Sequence, residues 1–272
     1  MSGTLLIIDP QNDFCDQPGA ALPVPGAMAD MARLAKFITA REDRLREVVV
    51  TLDSHAYVGI ERPTFWQTGA AESVAPFTEI LAEDLNQGRY LPRKSANLMP
   101  ALEYLRKLEA AGRYRLMVWP VHCVTGTWGH NIHAGVADAL NAWELATQKP
   151  VDKVLKGLNP LTEQYSAIRA EVPDPADPRT ETNTALVQRI AAASGWIFVA
   201  GEALSHCVSA TMADLYERLP PRQLEKIVLL TDCMSPVGGF EAQGQAFLKA
   251  SREQGVRTLS AAEAVQLPAD PS

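Results

Sequence analysis

The 272-residue chain has no excess of basic residues, because 25 Lys and Arg stand against 32 Asp and Glu for a formal net charge of −7. The basic residues are also scattered along the chain rather than clustered. Phosphate groups are bound mainly by clustered Lys and Arg. This balance argues against nucleic acid or an anionic membrane as the main partner.

Long apolar runs are absent as well. No segment approaches the roughly 18 uninterrupted apolar residues that a membrane-spanning helix needs. The N-terminal MSGTLLIIDP lacks the basic start and the small-residue cleavage site of a signal peptide. Together with a hydrophobic fraction of 47%, these features predict a globular, cytoplasmic protein.

Cysteine is scarce, and its spacing excludes further classes of protein. Cys15, Cys123, Cys207 and Cys233 are far apart and form no C-x-x-C pair. This favours reduced thiols over a disulfide framework. Neither G-x-G-x-x-G nor a P-loop occurs, which argues against a dinucleotide-binding enzyme. Because the thiols are expected to be reduced, at least one is available as a nucleophile.

Short apolar runs alternate with helical patterns, which is typical of β-α-β units around a parallel sheet. The strand candidates are TLLIID (4–9), EVVVTLD (47–53), KPVDKVLKG (149–157), WIFVAG (196–201), KIVLLTD (226–232) and VRTLS (256–260). Apolar residues recur at helical spacing in 28–41, 98–111, 184–194, 208–219 and 241–254. The strands are nearly continuous in Val, Ile and Leu, which predicts helices on both faces of the sheet.

Two stretches interrupt this alternation, so we expect one domain over residues 1–272 with insertions near 67–115 and 172–182. The second stretch, VPDPADPRTET, is too rich in proline to form a regular helix or strand. The first is predicted to add a helix next to a possible metal site. It is a candidate lid or a contact in a homo-oligomer.

One carboxylate and two imidazoles form a candidate metal site. Asp53 and His55 in TLDSH end an apolar strand, where side chains alternate with period two and these two share a face. His122 in WPVHC supplies the second imidazole. Such a set can hold a divalent transition ion and leave positions open for water or substrate. The same residue types also occur in surface loops, and the spacing alone does not decide.

Three more ionisable residues follow predicted strands, at the sheet edge where ligands of parallel α/β folds bind. Cys207 starts a helical pattern, and the free amides at a helix N-terminus favour a thiolate. Lys156 would lower the thiol pKa further, and Asp9 can accept the proton. The set predicts attack on an acyl carbon. The alternative is a buried structural cysteine with a turn-capping Asp9 and a solvated Lys156.

Six motifs, in this order, carry a resemblance to a known family: LLIIDPQNDF, ALPVPGA, DSH, WPVHCVTGTWG, KG with YSA after it, and GEALSHCVSAT. Together they resemble the nicotinamidase and pyrazinamidase branch of the isochorismatase-like cysteine hydrolases. The resemblance spans most of the chain. It implies a three-layer α/β/α sandwich around a six-stranded parallel sheet with strand order 3-2-1-4-5-6.

The resemblance also implies a role for each matched residue. Cys207 becomes the nucleophile, Asp9 the general base and acid, and Lys156 the charge partner of the thiolate. The metal ligands are Asp53, His55 and His122. A cis peptide bond before Ala203 and the backbone amides of Ala203 and Cys207 as an oxyanion hole are implied as well. The residues expected to bind the substrate are Phe14, Leu22, Trp119, Tyr165 and Glu202.

The implied activity is metal-dependent hydrolysis of nicotinamide to nicotinic acid and ammonia through a cysteine thioester, in NAD salvage. The implied metal is zinc, with iron or manganese as alternatives. The sequence departs from the family at Ser54, where Trp is usual, at Glu202, and in lacking a further His soon after His55. Two alternatives therefore stay open: another amide or carbamoyl substrate, or a non-catalytic binding protein.

Other histidines and the tryptophans are assigned lesser roles. His206 is predicted to form part of a pocket wall, because adjacent helical residues diverge too far for a direct dyad with Cys207. His130 and His133 are predicted to share a helix face. They could extend the metal site, but a surface or packing role is favoured. The residues expected in the core or at an interface are Trp66, Trp128 and Trp143.

Overall fold

The central sheet of the computed structural model, which describes residues 3–271, consists of six parallel strands. They are β1 (Gly3–Ile8), β2 (Leu45–Asp53), β3 (Asp152–Lys156), β4 (Ile197–Gly201), β5 (Ile227–Leu230) and β6 (Arg257–Leu259). Their spatial order is β3-β2-β1-β4-β5-β6, and every neighbouring pair is parallel. The predicted order 3-2-1-4-5-6 is confirmed.

Helices cover both faces of the sheet, as the apolar strands predict. The α-helices within residues 3–271 are α1 (Ala27–Ala40), α2 (Ala82–Asn86), α3 (Leu98–Ala111), α4 (Ala134–Thr147), α5 (Thr184–Ala191), α6 (Ser209–Tyr216), α7 (Pro221–Leu224), α8 (Glu241–Glu253) and α9 (Ala261–Val265). Apolar residues of α1, α4 and α9 pack on one face, and those of α5, α6 and α8 pack on the other. The predicted α/β/α sandwich is confirmed.

The alternation of side chains along β1 explains the two cores. Leu5 and Ile7 belong to the cluster under α1, α4 and α9, whereas Leu6 and Ile8 belong to the cluster under α5, α6 and α8. All four are fully buried. A strand with buried apolar side chains on both faces therefore lies inside the sheet, with helices on each side.

The chain runs outward from β1 in two directions, first to β2 and β3 and later to β4, β5 and β6. Strand order thus reverses between β1 and β4. Such a switch point opens a crevice at the carboxyl ends of the two strands, where ligands of this fold class bind. The candidate nucleophile and base follow β4 and β1 respectively.

The first predicted insertion contains two antiparallel ribbons together with α2 and α3. One ribbon pairs Trp66–Thr68 with Tyr90–Pro92, and the other pairs Thr78–Ile80 with Leu116–Val118. Buried apolar residues from Ile60 through Val118 form a hydrophobic cluster of their own. The stretch 172–182 is irregular apart from a single 3-10 turn at Pro178–Thr180.

Two local expectations are wrong. His130 and His133 do not lie on a helix, because α4 begins only at Ala134 and His133 caps it. Cys207 does not start an α-helix either; it lies in a π-helical turn, Leu204–Val208, that runs into α6. Within residues 3–271, no helix is both long and apolar enough to cross a membrane.

Substitution of Gly201, at the end of β4, tests whether the close approach between the backbones of β4 and β1 stabilises the sheet. A β-carbon on Gly201 would overlap the backbone of Ile8. We expect Gly201→Ala to cost about 3 kcal/mol of unfolding free energy. Gly255→Ala is the matched control, since Gly255 also has a positive φ but nothing lies within 4 Å of its added β-carbon. That control should cost about 1–2 kcal/mol.

Urea denaturation of both variants checks this prediction. Equal destabilisation of the two proteins would mean that the contact between β1 and β4 tolerates a side chain at Gly201.

Candidate active site

Four strands deliver the predicted catalytic and metal residues to one edge of the sheet. Asp9 directly follows β1, Asp53 ends β2, Lys156 ends β3, and Cys207 lies in the π-helical turn after β4. Because parallel strands share the direction of their carboxyl ends, these side chains converge above the switch point. All four residues are buried, with exposures of 6% or less.

The ammonium group of Lys156 is the centre of this cluster. Its Nζ lies 2.9 Å from Asp9 Oδ2 and 2.9 Å from Asp53 Oδ1. It also donates to the backbone carbonyl of Gln164 at 3.2 Å and to Cys207 Sγ at 3.5 Å. Burial alone would lower the pKa of Lys156, but Asp53 and Asp9 raise it well above its usual value. The side chain is therefore a buried cation, not a solvated lysine.

Asp9 is held rigidly by Thr51 on the neighbouring strand. The hydroxyl of Thr51 donates to Asp9 Oδ1 at 2.6 Å, and the Asp9 backbone N–H donates back to Thr51 Oγ1 at 3.1 Å. Burial raises the pKa of Asp9, although Lys156 and Thr51 oppose the shift. A carboxyl group with a raised pKa is well suited to exchange protons near neutral pH.

The environment of Cys207 differs from the prediction. Burial raises the pKa of its thiol well above the usual value, and Lys156 only partly counteracts this, while Asp9 adds to it. The predicted effect of Lys156 is present, because its charge lowers the thiol pKa, but burial outweighs that effect. A thiol whose pKa is raised loses its proton more readily to a nearby base than to water, and Asp9 lies beside this thiol.

The three predicted metal ligands lie together. Asp53 Oδ2 is 2.9 Å from His55 Nε2 and 3.3 Å from His122 Nε2. One ligand atom from each residue lies within 4.8 Å of the others. Burial would raise the pKa of Asp53, but His55 and Lys156 hold it well below the usual value. Asp53 is therefore a carboxylate under ordinary conditions.

The imidazole orientations fit a divalent metal ion. His122 Nδ1 bonds to the Pro120 carbonyl oxygen at 2.7 Å, and His55 Nδ1 lies 3.3 Å from Glu61 Oε1. The opposite nitrogen of each ring therefore faces Asp53. Burial lowers the pKa of His122, which keeps that ring neutral as a ligand must be. One carboxylate and two imidazoles match the preferences of zinc, iron or manganese.

Gln11 holds the backbone of Asp53 in place. Its side-chain amide donates to the Asp53 carbonyl at 2.9 Å, and its side-chain oxygen accepts from the Asp53 N–H at 2.8 Å. His130 reaches the same strand end, where its Nε2 lies 2.8 Å from Ser54 Oγ. His130 therefore supports the loop beside Asp53 and is not in the three-residue ligand set. His133 lies outside that set too.

A narrow cavity opens between the metal ligands and the nucleophile. Its wall includes four of the predicted substrate-binding residues, Phe14, Leu22, Trp119 and Tyr165. Both predicted oxyanion residues, Ala203 and Cys207, belong to the wall as well. The cavity volume is about 30 Å³, which makes it a small slot.

Aromatic packing shapes this wall. Trp119 Nε1 donates to the Tyr165 hydroxyl at 2.9 Å, and the two rings meet edge to face. His206 contacts Trp119 at a centroid distance of 5.0 Å, in agreement with its predicted place in the wall. Burial lowers the pKa of His206 to about 4, so its ring is neutral at pH 7. The slot therefore suits a flat, uncharged ring.

Glu202 is not part of the cavity wall. The peptide bond between Glu202 and Ala203 is cis, as the resemblance implies. The Glu202 carboxylate, however, accepts the backbone N–H of Ser235 at 3.1 Å and is fully buried. Burial and nearby Asp30 raise its pKa well above the usual value. Its predicted contact with substrate is thus corrected to a buried contact behind the site.

The sequence did not reveal Thr51 and Gln11, which hold Asp9 and Asp53, nor three further residues near the site. Glu163 and Val237 line the cavity, and Glu61 contacts His55. No motif marks Val237. A carboxylate a few residues beyond the D-x-H pair, where the resemblance leads one to expect a histidine, was the only signal for Glu61.

Comparison with known proteins identifies structures of the same architecture. No family model matches the sequence, and no curated protein matches it. Among solved structures, yeast nicotinamidase Pnc1p bound to the inhibitor nicotinaldehyde is 19% identical with a TM-score of 0.64, covering 95% of this chain and 99% of that chain. A nicotinamidase and pyrazinamidase from Acinetobacter baumanii is 18% identical with a TM-score of 0.64, covering 97% and 98%.

Pyrococcus horikoshii pyrazinamidase, solved in complex with zinc, is 18% identical with a TM-score of 0.57, covering 96% of this chain and 99% of that chain. An isochorismatase family protein from Desulfovibrio vulgaris also matches, with a TM-score of 0.53. The similarity therefore extends over nearly the whole length of each protein. The chain has the isochorismatase-like α/β fold of the nicotinamidases and pyrazinamidases.

Proposed function

We propose that this protein is a metal-dependent amidohydrolase that converts nicotinamide to nicotinic acid and ammonia. The observation that carries the proposal is the position of Lys156, whose ammonium group contacts both the Asp9–Cys207 pair and the metal ligand Asp53. This contact joins a nucleophile and a metal site in one buried centre. A structural cysteine would have no need of such a centre.

The cavity favours a small aromatic amide. Phe14, Trp119 and Tyr165 supply flat apolar surfaces on which a ring can pack. Asp53, His55 and His122 would hold a divalent ion, which would supply a Lewis acid to polarise a nitrogen-containing ring. Cys207 on the same wall can then approach the carboxamide carbon.

The first half of the reaction forms a thioester. Asp9 removes the thiol proton of Cys207 as Sγ attacks the carboxamide carbon, so that a carbon–sulfur bond forms and the carbonyl oxygen becomes an oxyanion. The backbone N–H groups of Ala203 and Cys207 stabilise that oxyanion. Collapse breaks the carbon–nitrogen bond, and Asp9 returns its proton to the departing ammonia.

The second half releases the acid. Asp9, a carboxylate again, accepts a proton from water as the water oxygen attacks the thioester carbon. The carbon–sulfur bond then breaks, and the proton on Asp9 passes to the Cys207 sulfur. Lys156 stays charged throughout, because its pKa is well above the usual value, and it balances whichever of Asp9 and Cys207 is negative.

We infer zinc as the metal, with iron or manganese as alternatives, and nicotinamide salvage toward NAD as the physiological setting. The second candidate substrate is another amide or carbamoyl compound. Glu163 favours this alternative, because it adds a buried carboxyl group to the cavity wall that nicotinamide does not require. Comparing nicotinamide with pyrazinamide and with aliphatic amides separates the two candidates.

Ammonia release from nicotinamide should depend on both halves of the site. We expect rapid release by the metal-loaded protein, with a loss of about 1,000-fold or more after chelation or in Cys207→Ala. Cys233→Ala is the matched control, since Cys233 is also a buried free thiol but lies outside the cavity wall. Undiminished release by Cys207→Ala would refute the thioester mechanism.

Asp9→Asn should separate proton transfer from metal binding. Asparagine keeps the size of the side chain and can accept the Thr51 hydrogen bond, but it cannot take a proton from the thiol. We expect kcat to fall by about 1,000-fold while metal content is unchanged. Asp138→Asn, at an exposed position on α4, is the control. Activity within a few-fold of wild type would exclude Asp9 as the base.

Thr51→Val should move the acid limb of the pH profile. This limb reflects protonation of Asp9. Because the pKa of Asp9 is raised, activity should be lost as the pH falls through a value above the pKa of an ordinary Asp. The Thr51 hydroxyl opposes that rise, so its removal should shift the kcat/KM limb to higher pH. Thr51→Ser keeps the hydroxyl and should leave the limb in place. A limb unmoved in Thr51→Val would show that another group controls it.

A further inference from the structure

We propose that Glu61 orients His55 as a metal ligand, because its carboxylate accepts a hydrogen bond from the Nδ1–H of that ring. The inference rests on the metal site proposed above and extends it to a residue beyond the three ligands. Glu61 Oε1 lies 3.3 Å from His55 Nδ1, on the side of the ring opposite Asp53. It is therefore a positioning residue rather than a fourth ligand.

The Glu61 carboxylate is fixed in place by its surroundings. It is 2% exposed, and Arg62 Nε donates to the same Oε1 at 2.8 Å. A β-carbon on Gly59 would lie 2.6 Å from both carboxylate oxygens, so the backbone at Gly59 closes over the group. The Glu61 carbonyl also accepts the N–H of Trp119 at 2.7 Å, which ties it to the segment that leads to His122.

The guanidinium of Arg62 supplies the counter-charge that a buried carboxylate needs. Arg62 is fully buried, yet both of its Nη atoms lack a hydrogen-bond partner within residues 3–271, as does Glu61 Oε2. The one oxygen of Glu61 that does make contacts, Oε1, is the one that faces His55.

The two imidazoles are held by different groups, which makes their roles unequal. His122 Nδ1 bonds to the backbone carbonyl of Pro120, whereas His55 Nδ1 faces a carboxylate. A carboxylate partner makes the opposite nitrogen a stronger electron donor than a carbonyl partner does. His55 is therefore the ligand whose bond to the metal depends on a side chain that can be changed without altering the ligand set.

Metal affinity tests the proposal independently of turnover. We expect Glu61→Gln to weaken zinc binding by about tenfold to 100-fold, measured by competition with a chromophoric chelator. The d–d absorption of the cobalt-substituted protein should also shift, because the His55 donor changes. Glu79→Gln is the matched control, an exposed glutamate paired with Arg115 on the inserted ribbon. It should match wild type in both measurements.

The double variant Glu61→Gln/Arg62→Met separates positioning from stability. It removes the buried charge together with its partner, so a purely structural pair would recover both thermal stability and zinc affinity. Positioning by Glu61 predicts that stability recovers while zinc affinity stays low. Wild-type zinc affinity and an unshifted cobalt spectrum in either variant would overturn the proposal.

Nicotinamide turnover distinguishes this inference from the proposed function. Zinc binding that needs Glu61, in a protein that does not hydrolyse nicotinamide, would support the positioning role and refute the substrate. Full zinc affinity in Glu61→Gln, together with metal-dependent nicotinamide turnover by wild type, would do the reverse.

Discussion

The buried ammonium group of Lys156 is the interaction on which the rest of the site depends. A cation that is buried away from water must be paired with anions. Here Asp9 and Asp53 each have a carboxylate oxygen 2.9 Å from Lys156 Nζ. The two carboxylates come from the ends of β1 and β2, and Lys156 itself ends β3. Three adjacent strands must therefore end at one level, and this requirement links the register of the sheet to the geometry of the site.

Two aspartates that share this one cation have opposite properties. Burial dominates at Asp9 and raises its pKa, whereas His55 and Lys156 hold the pKa of Asp53 well below the usual value. The first can gain and lose a proton, and the second stays a permanent anion. When their environments push the pKa values of two carboxyl groups apart, one group can exchange protons and the other stays an anion that binds cations. The buried thiol of Cys207 fits this division, because a thiol with a raised pKa needs Asp9 to accept its proton.

Much of this arrangement can be predicted from the sequence, because it lies at strand ends. An apolar strand followed by an ionisable residue marks Asp9, Asp53 and Lys156, and the strand order brings them together. What could not be predicted depends on burial and on distant contacts. Glu202 faces Ser235 instead of the cavity, and Glu61 lies against His55 beneath the backbone of Gly59.

The raised thiol pKa of Cys207 also depends on burial. Sequence reasoning identified the favourable charge of Lys156 but had no access to the depth at which the sulfur lies. The missed carboxyl groups show the same limit. Glu163 joins the cavity wall through the fold of an irregular segment that carries no pattern of its own.

The central claim is that the metal ligands and the nucleophile act on one substrate molecule. Rapid acid quenching of the metal-loaded protein with nicotinamide, followed by mass spectrometry of its peptides, tests this most directly. The account predicts a nicotinoyl group on the peptide that contains Cys207, and none on that peptide after the metal is removed. Acylation that is independent of metal, or located on Cys15, Cys123 or Cys233, would contradict it.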